Sequence, residues 1–294
     1  MSEGFPPPEQ ERASRVEAKS AEVLMHVRAA QKGEKVNVLE DGTEVEKEPN
    51  PVEVLRAGIR GFADSKEAEL SGQLADRLEA EILALPPEER NELTNVLAEG
   101  NLYAIKQSSG RSKRALELYA SVSAQTEGAL TPEKSKERSA HFHSEDRQGD
   151  TLLVSGNFGP AAEKFAHAYK IREELDLITD PDEIGPAACA RYGEAAALFM
   201  TGKLEGARAK VADARELLTG IEAKEPVLEP NVRSLEQAIA DMEKIEDEDE
   251  RNATLAALAE IITENGGSGG GVKRINFKKE LDAARAKASP EKPE

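Results

Sequence analysis

Three stretches decide the fold: Gly110-Arg-Ser-Lys-Arg-Ala115-Leu-Glu-Leu-Tyr119-Ala-Ser-Val122, Gly156-Asn-Phe158-Gly-Pro-Ala161-Ala-Glu-Lys-Phe165-Ala-His-Ala168 and Gly202-Lys-Leu-Glu-Gly-Ala207-Arg-Ala-Lys-Val211-Ala-Asp-Ala214. Each has Gly, Ala five residues on, an apolar residue at nine and a small or apolar residue at twelve. The glycines recur every 46 residues. A fixed period of this size is the signature of stacked supersecondary units. Gly suits the turn between two helices, where a positive φ is needed. Ala lets helices approach closely, and the residue one turn further on fills the groove between them. A fourth copy would place Glu248, Ala253, Ala257 and Glu260 in register and keeps only the two alanines.

The rest of the chain agrees. Its 294 residues are 33% charged and 38% hydrophobic, with eleven aromatics and no Trp. The abundance of Ala, Glu, Leu, Lys and Arg leans helical. Pro51, Pro86–Pro87, Pro132, Pro181, Pro186, Pro226 and Pro230 punctuate the text as helix ends and starts. Asn50-Pro51 and Thr131-Pro132 read as capped helix starts. Upstream, a Pro6–Pro8 tail precedes a helix over about 9–32, and Val36 to Glu46 alternates around Asp41-Gly42, a hairpin signal. The expected fold is all-α: antiparallel helix pairs stacked as a solenoid of 46-residue repeats, with a small N-terminal β-hairpin. The boundaries are 1–49 for helix and hairpin, 50–265 for the helical array, 266–271 for a Gly/Ser linker and 272–294 for a basic tail helix or peptide.

The repeated pattern resembles tetratricopeptide repeats. Gly149, Gly156, Phe158, Ala161, Phe165 and Ala168 follow that family's order of Gly, Gly, Tyr, Ala, Tyr or Phe, Ala. The chain departs from it in period, 46 against about 34, and in lacking the family's Trp. The resemblance implies an α-solenoid that binds a peptide or helix of another protein along a concave wall. In co-chaperones of the family that wall clamps an acidic C-terminus with Lys, Asn and Arg. The corresponding positions here hold Gly100, Ala104, His143, Arg147, Cys189 and Gly193, and only Arg147 fits.

Charge narrows the partner. With 39 Lys and Arg against 57 Asp and Glu, the net charge is −18, which repels nucleic-acid phosphates and favours a basic peptide or helix. Residues 222–264 carry 13 acids and 4 bases, so Glu243, Glu246, Asp247, Glu248, Asp249 and Glu250 form a candidate acidic docking face. Beyond the glycine-rich linker, residues 272–294 carry 7 bases and 4 acids, leaving the other 271 at −21. A linker this short spans about 15 Å, so the tail is poised to dock within the molecule or on another. Lys273, Arg274, Ile275 and Phe277 also resemble the docking motif of protein phosphatase 1 partners, in which two alternate apolar side chains add as a strand.

Nothing in the sequence points to catalysis, a cofactor or a metal. His141 and His143, two apart, diverge on a helix. Cys189, the sole cysteine, reads as a small buried residue, and no phosphate-binding glycine loop follows a strand. No long apolar run suggests a membrane span. The expectation is a non-enzymatic cytoplasmic scaffold or adaptor, with the nucleus also open to it. A phosphatase-targeting subunit and a structural subunit of a larger assembly are the alternatives.

Overall fold

A computed structural model describes residues 36–40, 43–47, the single positions 80, 84, 86, 87 and 100, and the span 109–288 apart from 132–133, 182, 220, 222–227, 266–271 and 273–274. The expected Pro6–Pro8 tail, the helix over 9–32, the Asn50-Pro51 start and the linker at 266–271 lie outside the described residues. The chain divides into two compact units, Met1–Leu102 and Tyr103–Glu294. That boundary falls inside the 50–265 stretch, and the C-terminal segment belongs to the second unit. In the first unit, β1 (Val36–Glu40) pairs antiparallel with β2 (Thr43–Lys47), Val38 opposite Val45 and Glu40 opposite Thr43.

The described residues of the second unit are helical, with short connections. The elements are α1 (Ser109–Thr126), α2 (Ser135–Val154), α3 (Phe158–Glu174), α4 (Ile184–Met200), α5 (Leu204–Leu218), α6 (Leu228–Glu243), α7 (Glu248–Asn265) and α8 (Phe277–Ala288). Each of α1 to α5 packs on the next, and α5 on α6. Then the pattern changes: α6 and α7 pack on α8 rather than on each other, and both touch α4.

Two turns repeat almost atom for atom. Ser155-Gly156-Asn157 joins α2 to α3, and Thr201-Gly202-Lys203 joins α4 to α5. Gly156 has φ +78° and Gly202 φ +75°, the left-handed region where a Cβ is costly. Asn157 N–H donates to Leu152 O at 2.8 Å and Gly156 N–H to Leu153 O at 3.0 Å; Lys203 N–H donates to Leu198 O at 3.0 Å and Gly202 N–H to Phe199 O at 2.9 Å. This paired bonding satisfies the last carbonyls of α2 and α4 and turns the chain back on itself. Gly110 differs from the expectation: it lies in the first turn of α1 rather than in a turn between helices. Thr131 is likewise not a cap. The helix α2 begins at Ser135 after Lys134, whose N–H bonds Thr131 O at 3.2 Å.

The recurring positions face inward. Ala115, Ala161 and Ala207 are buried, as are Tyr119, Phe165 and Val211 one turn on and Val122, Ala168 and Ala214 beyond them; Phe158 is partly buried against the core that holds Ala161, Phe165, Ala207 and Val211. The tightest point is Phe165. A Cβ built on Gly149 of α2 would lie 2.7 Å from Cε1 of its ring, and one on Gly193 of α4 would lie 2.6 Å from the same atom. The ring is thus held between two helix backbones, and neither glycine has room for a methyl group. Gly193, a groove position by resemblance, is therefore a packing residue.

Gly193→Ala and Gly149→Ala are each expected to cost about 1–3 kcal/mol, the usual penalty for overfilling a packed core. Denaturant unfolding reads this, and a helix-propensity gain at either site, as ordinary Gly→Ala in an open helix would give, contradicts the packing described.

Candidate helix-docking site

Val272 and the segment 275–288 are seated on α2, α4, α6 and α7 by main-chain bonds, a cap and an apolar stripe. Val272, 1% exposed, donates its N–H to Asp150 Oδ1 at 2.9 Å. The Tyr192 hydroxyl donates to Ile275 O at 3.1 Å, and complete burial raises that phenol's pKa well above 10.0. Asn276 caps α8: its Oδ1 accepts Lys279 N–H at 3.1 Å, the third-residue bond expected of a cap. The same oxygen accepts the Ser234 hydroxyl at 2.7 Å, and Ser234 Oγ accepts Lys278 N–H at 2.9 Å. A side chain of α6 thus shares the capping of α8.

Positions 277, 281 and 284 fall on one face of a helix of period 3.6, and Phe277, Leu281 and Ala284 are each 0% exposed. The Phe277 ring meets Tyr192 edge-on at 6.4 Å and Phe199 edge-on at 5.9 Å between centroids, an arrangement that aligns ring edge with ring face. Burying Val272, Phe277 and Leu281 contributes about 1.5–3 kcal/mol each. Around the rim, Lys278 pairs with Asp241 at 3.4 Å and Lys287 with Glu260 at 2.8 Å. These pairs are solvated and add little to the strength of docking. Apolar burial sets the strength of docking, and the charges set its orientation.

Several expected site residues stand elsewhere. The acidic run is the start of α7: Asp247 Oδ1 accepts Glu250 N–H at 3.0 Å, and Glu248, Asp249 and Glu250 occupy the first helical turn, where the backbone dipole favours anions. Glu243 pairs with Arg208. Lys278 and Lys287 of the basic segment meet Asp241 and Glu260, which lie outside that run. Lys273 and Arg274 lie outside the described residues. Ile275 is partly buried, and Phe277 opens α8 fully buried. Of that motif, Phe277 is a core side chain of the unit.

A second cluster, not foreseen as a site, joins α1, α2 and α3. The Glu145 side chain is 2% exposed. It accepts from Ser123 Oγ at 2.7 Å, Gln148 Nε2 at 3.1 Å and Lys164 Nζ at 3.4 Å, with His167 Nδ1 at 2.8 Å. Burial would raise its pKa, but the bonds from Ser123 and His167 and the charge of Lys164 outweigh it and hold it below 4.5. His141 is 3% exposed with Nδ1 at 3.0 Å from Thr126 Oγ1. Burial pushes this imidazole below 6.5, against the pull of Glu145. Nearby, Arg172 is 2% exposed, forks onto Asp146 at 2.7 and 3.2 Å, reaches Glu183 at 3.3 Å and lies 4.6 Å over the Phe142 ring. Arg147, the one residue that matched the acidic-tail clamp, pairs with Asp150 at 3.2 Å. Among the described residues no set of three His, Cys, Asp or Glu side chains could hold a metal ion, and no helix is long and apolar enough to cross a membrane.

One signal for the docked helix was present in the text: a capping residue, Asn276, followed by apolar residues at 277, 281 and 284. Its partners Asp150, Tyr192, Ser234 and Asp241 carry no local mark, because three other helices bring them together. Comparison with protein-family models, with curated proteins and with solved structures finds no match to this chain.

Two outcomes follow from this geometry. Phe277→Ala is expected to lower unfolding stability by about 3–5 kcal/mol, read by denaturant titration; a change under about 1 kcal/mol would mean the segment is not part of the core. Acid should weaken the unit in two steps. The unfolded chain protonates His141 below pH 6.5 while the folded chain resists, so stability falls with pH from there. Glu145 stays ionised in the folded chain below 4.5, where the unfolded chain binds a proton, so a further loss sets in. Melting temperature against pH reads both: His141→Gln should flatten the first step and Glu145→Gln the second, and a wild-type melting point constant from pH 7 to 5 contradicts the sign.

Proposed function

We propose that this chain is a non-enzymatic scaffold that binds a peptide or helix of a partner protein along a tetratricopeptide-like array. The observation that carries the reading is the seating of 272–288: a helix that follows a glycine-rich segment, gripped by Tyr192, Ser234, Asp241 and Glu260 from three separate helices. A surface assembled from several helices that holds a further helix by cap, stripe and rim is what a helix-binding protein requires.

Two matched hairpins, α2–α3 and α4–α5, with the same left-handed glycine turn support the array reading, and so does the buried alanine at the same place in each. The net charge of −18 supports a basic partner by complementarity. A cytoplasmic setting fits the acidic composition and the lone cysteine.

The test is selection of displayed peptides on the immobilised full chain, beside light scattering of the chain alone. The expected result is enrichment of basic amphipathic sequences by a monomeric protein, with affinity falling as salt rises. A chain that enriches none and self-associates into a defined oligomer is a structural subunit instead, which overturns the scaffold reading.

A further inference from the structure

The contacts of α8 divide unusually for a core helix. Its inner face is buried, yet the helices it separates, α6 and α7, pack on it rather than on each other. Lifting α8 away would therefore leave a groove between α6 and α7, floored by Tyr192 and Phe199 of α4. The groove walls carry Ser234, positioned to share a helix cap, and the anions Asp241 and Glu260 on the two rims. Such an apolar groove is costly to leave empty in water, so it exchanges occupants rather than standing open. The present occupant arrives after Gly266-Gly-Ser-Gly-Gly-Gly271, a composition that tethers without fixing orientation.

The geometry points to a helix-exchange site: the groove between α6 and α7 accepts from a partner protein a basic amphipathic helix with the tail's own pattern. That pattern is a capping Asn, Asp or Ser, then an aromatic residue, Leu four positions later and a small residue three beyond, with Lys or Arg on the flanks. The resident tail competes with it in cis. This rests on the scaffold reading and adds the location of its site, the chemistry of its ligand and the means of its control. The aromatic enters between Tyr192 and Phe199, the cap meets Ser234, and flanking cations meet Asp241 and Glu260. A connection this short and rich in glycine places the tail at an effective concentration of about millimolar. The closed state is thus the default, and a foreign helix gains access once the cis contacts are weakened.

The probe is a fluorescent peptide of residues 272–288, added to full-length chains and read by anisotropy. Lys278→Glu with Lys287→Glu turns two rim attractions into repulsions and leaves Phe277, Leu281 and Ala284 in place. The double variant is expected to bind the peptide at least about tenfold more tightly than the wild-type chain, whose tail occupies the site. A peptide carrying Phe277→Ser and Leu281→Ser should bind neither. Asn276→Ala, which removes the cap and its bond from Ser234, serves as the second opened chain and should behave alike; circular dichroism confirms that each variant is folded. Equal binding to wild-type and opened chains, or no binding to folded opened chains, overturns the proposal. So does a tail-exchanged dimer in light scattering, which would make the groove a self-association surface. Failure here, with displayed peptides still enriched on the full chain, would leave the scaffold reading standing and move its site elsewhere.

Discussion

Everything in the helical unit depends on how closely α2, α3 and α4 approach one another. A benzene ring, Phe165, occupies the space between two backbones that carry no side chain at the contact, Gly149 and Gly193. Protein interiors are packed as densely as organic crystals, so this spacing sets where neighbouring helices lie. Ala161 and Ala207, both without solvent exposure, extend the same close approach along α3 and α5. The left-handed glycines at 156 and 202 then return the chain at the angle that the packing demands.

From that frame the unit divides by chemistry. Where α1 meets α2, a polar network lies beside the buried Ala115, Tyr119 and Val122: Ser123, Ser144, Glu145 and Gln148 bond one another across the two helices. Buried charges are tolerated only when paired and hydrogen-bonded, and Arg172 meets that condition with two carboxylates and an aromatic face. Toward α8 the interface is apolar, and a single core runs from Leu153 and Phe165 to Phe277 and Leu281. Polar networks demand one geometry, because each member needs its own partner. Apolar surfaces accept any side chain of suitable shape.

The seating of the C-terminal helix follows from where long-range contacts close. Val272 bonds Asp150 across 122 residues of sequence, and Tyr192 reaches Ile275 across 83. Loop closure over such distances costs only logarithmically more than over short ones, so a glycine-rich connection is no obstacle to docking. The rim charges add direction: a segment of net positive charge settles with Lys278 beside α6 and Lys287 beside α7.

The helical character, the 46-residue recurrence and the inward alanines were legible in the text, because helical period and glycine turns are local properties. The stripe at 277, 281 and 284 was legible too, though it reads equally well as an exposed motif. Local pattern could not say that Gly110 sits inside a helix, that Asp247 caps one, or that Gly193 makes room for a ring. Nor could it say which face Phe277 would meet. Those outcomes depend on side chains brought together from helices far apart in sequence, and only close packing in three dimensions determines which atoms share a space.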